Sequence, residues 1–125
     1  MSYIDGFVTP VPAGGKEAYR AHAEAAGRII LECGATRVMD AWASDVPNGE
    51  VTDLKRAVAA QPEEVVVFGW IEWPSKAVRD AAWPKLMTDE RLSALGMPFD
   101  GKRMAFGGFD VLVETVAPAA QAQAA

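Results

Sequence analysis

The pattern of apolar and polar positions predicts four β-strands and two helical regions. Alternating apolar residues, or runs of β-branched and aromatic residues, predict strands, whereas apolar residues that recur every three to four positions predict helices. The predicted strands cover residues 3–9, 35–44, 63–73 and 102–114, and the predicted helical regions cover residues 15–33 and 75–95.

Local signals mark the ends of the two helical regions. Gly34 follows the first region and suits the residue that often ends a helix, and Ser75 is a good N-cap for the second. Pro84 lies inside the second region, so we expect a kink or a helix in two pieces there. Residues 50–60 fit either a strand extension or a short helix, and the sequence leaves this segment open.

The order strand, helix, strand, strand, helix, strand predicts an α+β fold of the ferredoxin-like type, βαββαβ. In this arrangement, a four-stranded antiparallel sheet carries two helices on one of its faces. We expect the domain to cover residues 1–115. The tail, residues 116–125, lacks apolar periodicity, and we expect it to be flexible.

The strands carry large apolar residues on both faces of the predicted sheet. In the third strand, Val67 and Ile71 would face one side, and Phe68 and Trp70 would face the other. A monomer with helices on one face only should have a polar second face, and this sheet does not. We therefore predict a homodimer whose two sheets pack face to face around a barrel-like interior.

Composition and charge argue against several other roles. The chain has 125 residues and a net charge of −5. Neither a nucleic acid nor an anionic membrane is expected as a partner, since either would need a basic surface. The single cysteine, Cys33, excludes an intrachain disulfide, and the N-terminal stretch does not resemble a signal peptide. We expect a cytoplasmic protein.

Candidates for lining a ligand pocket come from the strands and the first helical region. They are His22, Trp42, Trp70, Glu72, Arg103, Asp40 and Asp5. The tryptophans would stack on a planar ligand, although aromatic residues in strands more often belong to a core or an interface. No phosphate-binding loop, nucleophile elbow or paired-cysteine motif is present, so the catalytic residues are unknown.

His22 is the only histidine of the chain. It fits a general base or a ligand of haem or a metal, and it equally fits a helix-edge histidine with a local hydrogen bond. One histidine per subunit cannot form the common multi-histidine metal sites, so we expect no metal and no cofactor.

The acidic candidates on the predicted strands are Asp5, Asp40 and Glu72. Carboxylates that meet on one sheet face can perform acid–base chemistry when burial separates their pKa values. The alternative, which we favour, is that they pair with Arg37 or Arg103 across the dimer. In the last predicted strand, Gly107-Gly108 predicts a bulge or a close backbone approach at the dimer contact.

Several stretches resemble a known family. The chain opens with YIDGFVTPVP and continues with WASDVPNGEVTDLKRAV, FGWIEWPSKAVRDAA and MPFDGKRMAFGGF. Together, to about Glu114, they closely resemble the YbaA-like bacterial proteins, a domain-of-unknown-function family in the dimeric α/β-barrel superfamily. The resemblance implies a ferredoxin-like fold and a face-to-face dimer, and it implies no activity. One departure is Trp83-Pro84, where such proteins typically have a polar residue.

Other members of that superfamily include cofactor-free monooxygenases and haem-degrading oxygenases, which is an analogy of fold alone. We expect a protein that binds a small apolar or aromatic metabolite in a pocket by the sheet, with a monooxygenase-like or stress-related activity as its enzymatic form. The alternative is a non-catalytic dimeric module that acts through interactions. The sequence leaves open whether the protein is an enzyme, which ligand it binds and whether the interior holds a cavity.

Overall fold

A computed structural model describes residues 2–118, which contain four strands and four α-helices. The strands are β1 (Tyr3–Pro12), β2 (Arg37–Trp42), β3 (Glu64–Trp73) and β4 (Ala105–Asp110). The helices are α1 (Lys16–Glu32), α2 (Leu54–Ala57), α3 (Lys76–Met87) and α4 (Glu90–Leu95). The segment that the sequence left open, 50–60, therefore contains a short helix, whose N-cap Asp53 accepts a hydrogen bond from the backbone N–H of Arg56.

The strands form one antiparallel sheet in the order β2-β3-β1-β4. β1 pairs with β3 along its whole length, from Tyr3 opposite Trp73 to Pro12 opposite Glu64. The connection through α1 leads from β1 to β2, and the connection through α3 and α4 leads from β3 to β4. This is the ferredoxin-like βαββαβ topology, so the predicted fold class is confirmed.

The sheet has a helix face and an open face. The helix face is covered by α1 and α3, and its buried side chains form two clusters: Tyr3, Ile29, Ala35, Trp73, Ala82 and Leu86 in one, and Val11, Tyr19 and Val67 in the other. The open face carries the alternate residues of the same strands, and no helix within residues 2–118 covers it. The expectation of large apolar residues on both faces is therefore confirmed.

The ends of the helices follow their sequence signals, with one exception. Gly34 ends α1 with a φ of 115°, and the Ser75 hydroxyl accepts a hydrogen bond from the backbone N–H of Val78 at 3.2 Å. The second helical region is in two pieces, as expected, but α3 continues through Pro84 and stops at Met87. The break lies further along because Asp89 caps a new helix by accepting the N–H groups of Arg91 and Leu92.

The last strand is shorter than predicted. Residues 102–114 were expected to be extended, but Gly101–Arg103 forms a 3-10 turn and β4 ends at Asp110. Asp110 pairs with Tyr3, the first residue of β1, so the strand stops where its partner stops. The predicted bulge is also absent, because Gly107 and Gly108 keep a regular register with β1. Within the chain, a Cβ at Gly108 would overlap the phenol of Tyr3. The close backbone approach at the dimer contact stays a prediction.

The predicted tail, 116–125, lies mostly outside the described residues, which end at residue 118. The domain boundary at residue 115 stays a prediction. None of the helices found between residues 2 and 118 has the length and apolar character that crossing a membrane requires.

Candidate functional site

The open face of the sheet forms a broad apolar depression. Phe68 of β3 and Phe109 of β4 point outward from this face and are 47% and 57% exposed. Phe109 lies over the two glycines of the neighbouring register pair, Gly6 and Gly107, which provide the space for its ring. Large exposed aromatic groups on one face of a sheet are unusual for a surface that faces only water.

This depression encloses a pocket of about 990 Å³. Its floor consists of apolar side chains from three strands, namely Ile4, Val8, Phe68, Trp70 and Phe109, and its wall continues into Val111 and Val113 beyond β4. The rings of Phe68 and Trp70 meet nearly edge to face, with centroids 5.8 Å apart. The pocket therefore offers aromatic surface for a flat or apolar molecule.

One end of the pocket is polar. Glu72 accepts a hydrogen bond from the indole N–H of Trp70 at 2.8 Å, and its carboxylate lies 3.8 Å from the guanidinium of Arg37. The carboxylate keeps further acceptor capacity, and Arg37 keeps free donors. The structure thus brings together two of the predicted site residues, Trp70 and Glu72, and adds Arg37.

Two other candidates, Asp40 and Trp42, lie on the helix face near the end of β2, and both contact Tyr19 of α1. The Tyr19 hydroxyl donates a hydrogen bond to Asp40 at 2.7 Å, and the Tyr19 ring contacts Trp42 with centroids 6.3 Å apart. Burial, together with the hydrogen bond and negative charge of Asp40, raises the pKa of Tyr19 well above its usual value. Tyr19 therefore stays protonated and does not serve as a base at ordinary pH.

His22 is next to this group on α1. Its ring meets Phe99 edge-on with centroids 5.8 Å apart, and its Nδ1 is buried without a hydrogen-bond partner among residues 2–118. Burial lowers the pKa of His22, and the negative charge of Asp40 partly opposes this effect. Within the same described residues, no three His, Cys, Asp or Glu side chains converge in a way that would hold a metal ion.

Asp5 forms a buried ion pair that sequence reasoning missed. Its two carboxylate oxygens accept hydrogen bonds from the Arg79 guanidinium at 2.8 and 3.1 Å, and one of them also accepts the indole N–H of Trp73 at 2.9 Å. Arg79 is itself placed against the rings of Tyr3 and Trp83, 5.5 and 4.9 Å from their centroids. Trp83, the departure from the family pattern, therefore packs on this arginine from one turn further along the same helix, α3.

The three acidic candidates do not share one face. Asp5 and Asp40 point to the helix face, and Glu72 points to the open face. The hypothesis that they meet for acid–base chemistry is therefore wrong. Each carboxylate has a polar partner within its own chain, and Asp5 pairs with Arg79, a residue that the cross-dimer alternative did not include.

Arg103 is separate from both groups. Its guanidinium donates two hydrogen bonds to Glu64, each 2.7 Å long, one to Asp100 at 2.9 Å and one to the carbonyl of Ala59 at 3.0 Å. These hydrogen bonds to Arg103 are the main reason that the pKa of Glu64 lies below its usual value. Arg103 connects the turn before β4 to the start of β3, and this accounts for its contacts without a ligand.

Three residues of the pocket lining were not predicted from the sequence as pocket residues: Phe68, Phe109 and Arg37. Because side chains alternate between the two faces of a strand, the sequence could have predicted that these residues share a face with Trp70. The register that brings them side by side comes from strand pairing, with Arg37 opposite Glu72 and Phe109 opposite Ile4.

Comparison with known proteins identifies relatives along most of the chain. Residues 2–101 match the family model described as protein of unknown function (DUF1428). The uncharacterized protein YbaA from Escherichia coli (strain K12) is 54% identical over 116 residues, which is 91% of this chain and 99% of that protein. The YbaA protein of Shigella flexneri matches to the same extent.

Solved structures of lower sequence identity share the fold. A protein from Bacillus cereus, described as a proposed antibiotic biosynthesis monooxygenase, superposes with a TM-score of 0.56 at 16% identity, covering 93% of this chain and 98% of that one. A dimeric ferredoxin-like protein from an uncultured marine organism gives a TM-score of 0.54 at 11% identity, covering 92% of this chain and 100% of the other.

Proposed function

Because this chain belongs to the DUF1428 family of proteins of unknown function, we propose a role from its own geometry: it binds a small apolar or aromatic molecule on the open face of the sheet. The observation that carries the proposal is the pocket of about 990 Å³ on that face, whose aromatic floor ends in one polar pair. Ligand sites of proteins commonly combine such an apolar lining with a few polar groups that fix orientation.

The polar end favours a ligand with one hydrogen-bonding group. A donor on the ligand would bind the free lone pairs of Glu72, and a carbonyl oxygen would accept from Arg37. The planar body would lie against Trp70 and Phe68. A flat molecule with one carbonyl, hydroxyl or ring N–H therefore fits better than a highly charged one.

A second copy of the chain would enclose this ligand. The open face has too much exposed aromatic surface for a monomer in water, and covering it with another sheet removes that surface from solvent. The marine ferredoxin-like structure is described as dimeric, which supports the same arrangement here. The homodimer, its face-to-face sheets and a cytoplasmic location belong to this proposal.

The enzymatic form of the proposal is a monooxygenase-like reaction on the bound molecule. Its support is the fold shared with the Bacillus cereus protein, which is an analogy at the level of fold. His22 and Tyr19 lie on the helix face, away from the pocket, so the oxygenase form would use Trp70, Glu72 and Arg37 for binding and orientation.

Binding of menadione and of indole, measured by titration calorimetry, tests the proposal. Menadione offers carbonyl groups and indole offers a ring N–H. Replacing Trp70 by Leu should weaken binding about tenfold or more, since a stacked aromatic group at the centre of a pocket contributes strongly. Trp83→Leu is the matched control, because Trp83 packs on Arg79 and lies outside the pocket lining. Equal losses in the two variants would contradict the assignment of the pocket.

The second candidate is a non-catalytic dimeric module. The observation in its favour is that Trp70, Glu72 and Arg37 already interact with one another, so a partner sheet alone would account for the whole face. A stable dimer that binds neither menadione nor indole would support this candidate over the ligand-binding one.

A further inference from the structure

The chain continues beyond β4 as an apolar segment that its own sheet does not use. We call residues 111–117 the C-terminal arm. Only its first backbone N–H is paired, donated by Val111 to the carbonyl of Ser2 at 3.3 Å, as far as the described residues show. Leu112 is 94% exposed, and Val113 and Val116 are 76% and 71% exposed. β-Branched and aliphatic residues favour strands, yet residues 111–117 form no strand within the described chain.

The side chains at the start of the arm lie in two different environments, the pocket and the solvent. Val111 and Val113 line the pocket on the open face of their own chain. Leu112 does not belong to that lining and points to solvent. A side chain of this size with almost complete exposure indicates that something outside the single chain covers it.

The edge strand β2 offers a place for such a segment. β2 lies at one end of the sheet order, and its partner in the described chain is β3 alone. Its outer row of backbone N–H and C=O groups is therefore available to another strand. The arm, 111–117, and β2, Arg37–Trp42, are nearly equal in length.

A groove lies directly beside this edge, between α1 and β2. It encloses about 580 Å³. Its apolar lining consists of Ala23, Gly27, Leu31, Val38 and Trp42, and Leu31 is exposed for nearly half of its surface. An apolar side chain of the size of leucine therefore has space and matching surface here.

The charges of the groove and the arm are complementary. Arg20, Arg28 and Arg37 line the groove, against the carboxylates of Glu24 and Asp40. Arg28 forms no ion pair within residues 2–118, and Arg37 reaches Glu72 only at 3.8 Å. The chain from residue 104 onward contains Asp110 and Glu114 and no lysine or arginine. The arm itself carries one carboxylate, Glu114, and no positive charge. Arg20 is already paired with Glu17, so Arg28 is the groove arginine that the arm complements.

We infer that the C-terminal arm of one copy adds to the β2 edge of a second copy, with Leu112 seated in the groove between α1 and β2. The exchange is reciprocal in a two-fold dimer, so each copy gives one arm and receives one. Because each arm leaves from the wall of its own pocket, the two exchanged arms close the space between the sheets. This inference rests on the proposed dimer and names the contact that completes its pocket.

Sedimentation velocity over a range of concentrations tests the arm, together with hydrogen exchange of the β2 amides. Leu112→Asp should raise the dimer dissociation constant about tenfold or more, because a charge replaces an apolar anchor at an interface. The amides of Arg37–Trp42 should then exchange faster than in the unaltered protein. Val51→Asp is the matched control, since Val51 is 92% exposed and outside both arm and groove. It should leave both measurements unchanged.

The remaining outcomes separate the arm from the dimer. If Leu112→Asp changes neither the dimer dissociation constant nor the hydrogen exchange of the β2 amides, the proposed arm exchange is wrong, and the proposed face-to-face dimer is unaffected. If Leu112→Asp weakens the dimer but the β2 amides exchange as slowly as before, the arm contributes to the dimer without binding at the β2 edge, and the proposed binding site is wrong. A monomer of the unaltered chain at roughly ten micromolar overturns the proposed dimer and the arm together.

Discussion

At the scale of single residues, the structure assigns most of the polar candidates to interactions within the chain. Asp5 shows why sequence reasoning missed this. Its partner, Arg79, is 74 positions away, and the two meet only because α3 packs on β1 and β3. Sequence periodicity predicts that Asp5 lies on a strand and Arg79 on a helix, but it gives no contact between them. Glu72 and Trp70 are different, since they are two residues apart on one strand and their shared face was predictable.

Replacement of Asp5 by Asn should destabilise the protein by about 2–4 kcal/mol, since it leaves the Arg79 charge largely buried without its carboxylate. Urea denaturation measures the effect. Asp80→Asn is the matched control, because Asp80 also contacts Arg79, at 3.2 Å, but from the solvent side. The control should change the unfolding free energy little. A loss as large in Asp80→Asn as in Asp5→Asn would contradict the assigned role of Asp5.

Tyr19 should make the stability depend on alkaline pH. Its pKa is raised in the folded protein, so above its ordinary pKa of 10.0 the unfolded chain loses a proton that the folded chain keeps. The contribution of Tyr19 is therefore fully present below pH 10 and declines as the pH rises, by up to about 1.4 kcal/mol per pH unit. The difference in unfolding free energy between the unaltered protein and Tyr19→Phe isolates this slope.

Tyrosinate absorbance provides an independent check of the same prediction. The chain has two tyrosines, Tyr3 and Tyr19, so the titration contains two steps at most. One step should appear only when the protein unfolds. If Tyr19 ionises near pH 10 in the folded protein, the partly buried Tyr19–Asp40 hydrogen bond does not persist in solution.

At the scale of elements, apolar periodicity predicts all four strands and both long helical regions, because each buries one regular face. The boundaries that it misses depend on contacts outside the element. The final strand was expected to reach residue 114, since Val111, Leu112 and Val113 have strand propensity. It ends at Asp110 because β1 offers no further partner. Pro84 was expected to divide a helix, but its missing N–H costs one hydrogen bond in a helix that ends soon afterwards.

Three glycine substitutions separate backbone strain from side-chain overlap at the helix ends. Gly14→Ala should be nearly neutral, because its backbone is ordinary and a Cβ meets nothing within 4 Å. Gly96→Ala should cost about 1–2 kcal/mol, because φ is 68° in open space. Gly34→Ala should cost about 2–4 kcal/mol, because φ is 115° and a Cβ would lie 2.8 Å from Val78. Thermal and urea unfolding should give this order, and equal costs at the two positive-φ sites would contradict a tight contact between α1 and α3.

At the scale of the whole molecule, the open face connects the pocket to the assembly. The alternation of side chains along the strands predicts an apolar second face, and Phe68, Trp70 and Phe109 are found there. The alternation of side chains could not predict the pocket itself, since the shape of the pocket depends on glycines at positions 6 and 107 that make space for Phe109. The same aromatic groups serve ligand binding and association in our proposal, so ligand and dimer should stabilise one another.

If a second sheet covers the open face, thermal stability should depend on protein concentration. Each tenfold increase in concentration adds about 1.4 kcal/mol to a dimer that unfolds to two chains, which raises the melting temperature by several degrees. Phe68→Asp places a charge at the centre of the face and should abolish this dependence while preserving the circular dichroism of the folded monomer. Met87→Asp is the control, because Met87 is exposed on α3 and outside the pocket lining. A melting temperature that is independent of concentration in the unaltered protein, together with a monomer in sedimentation, would mean that its aromatic face is exposed to water in solution.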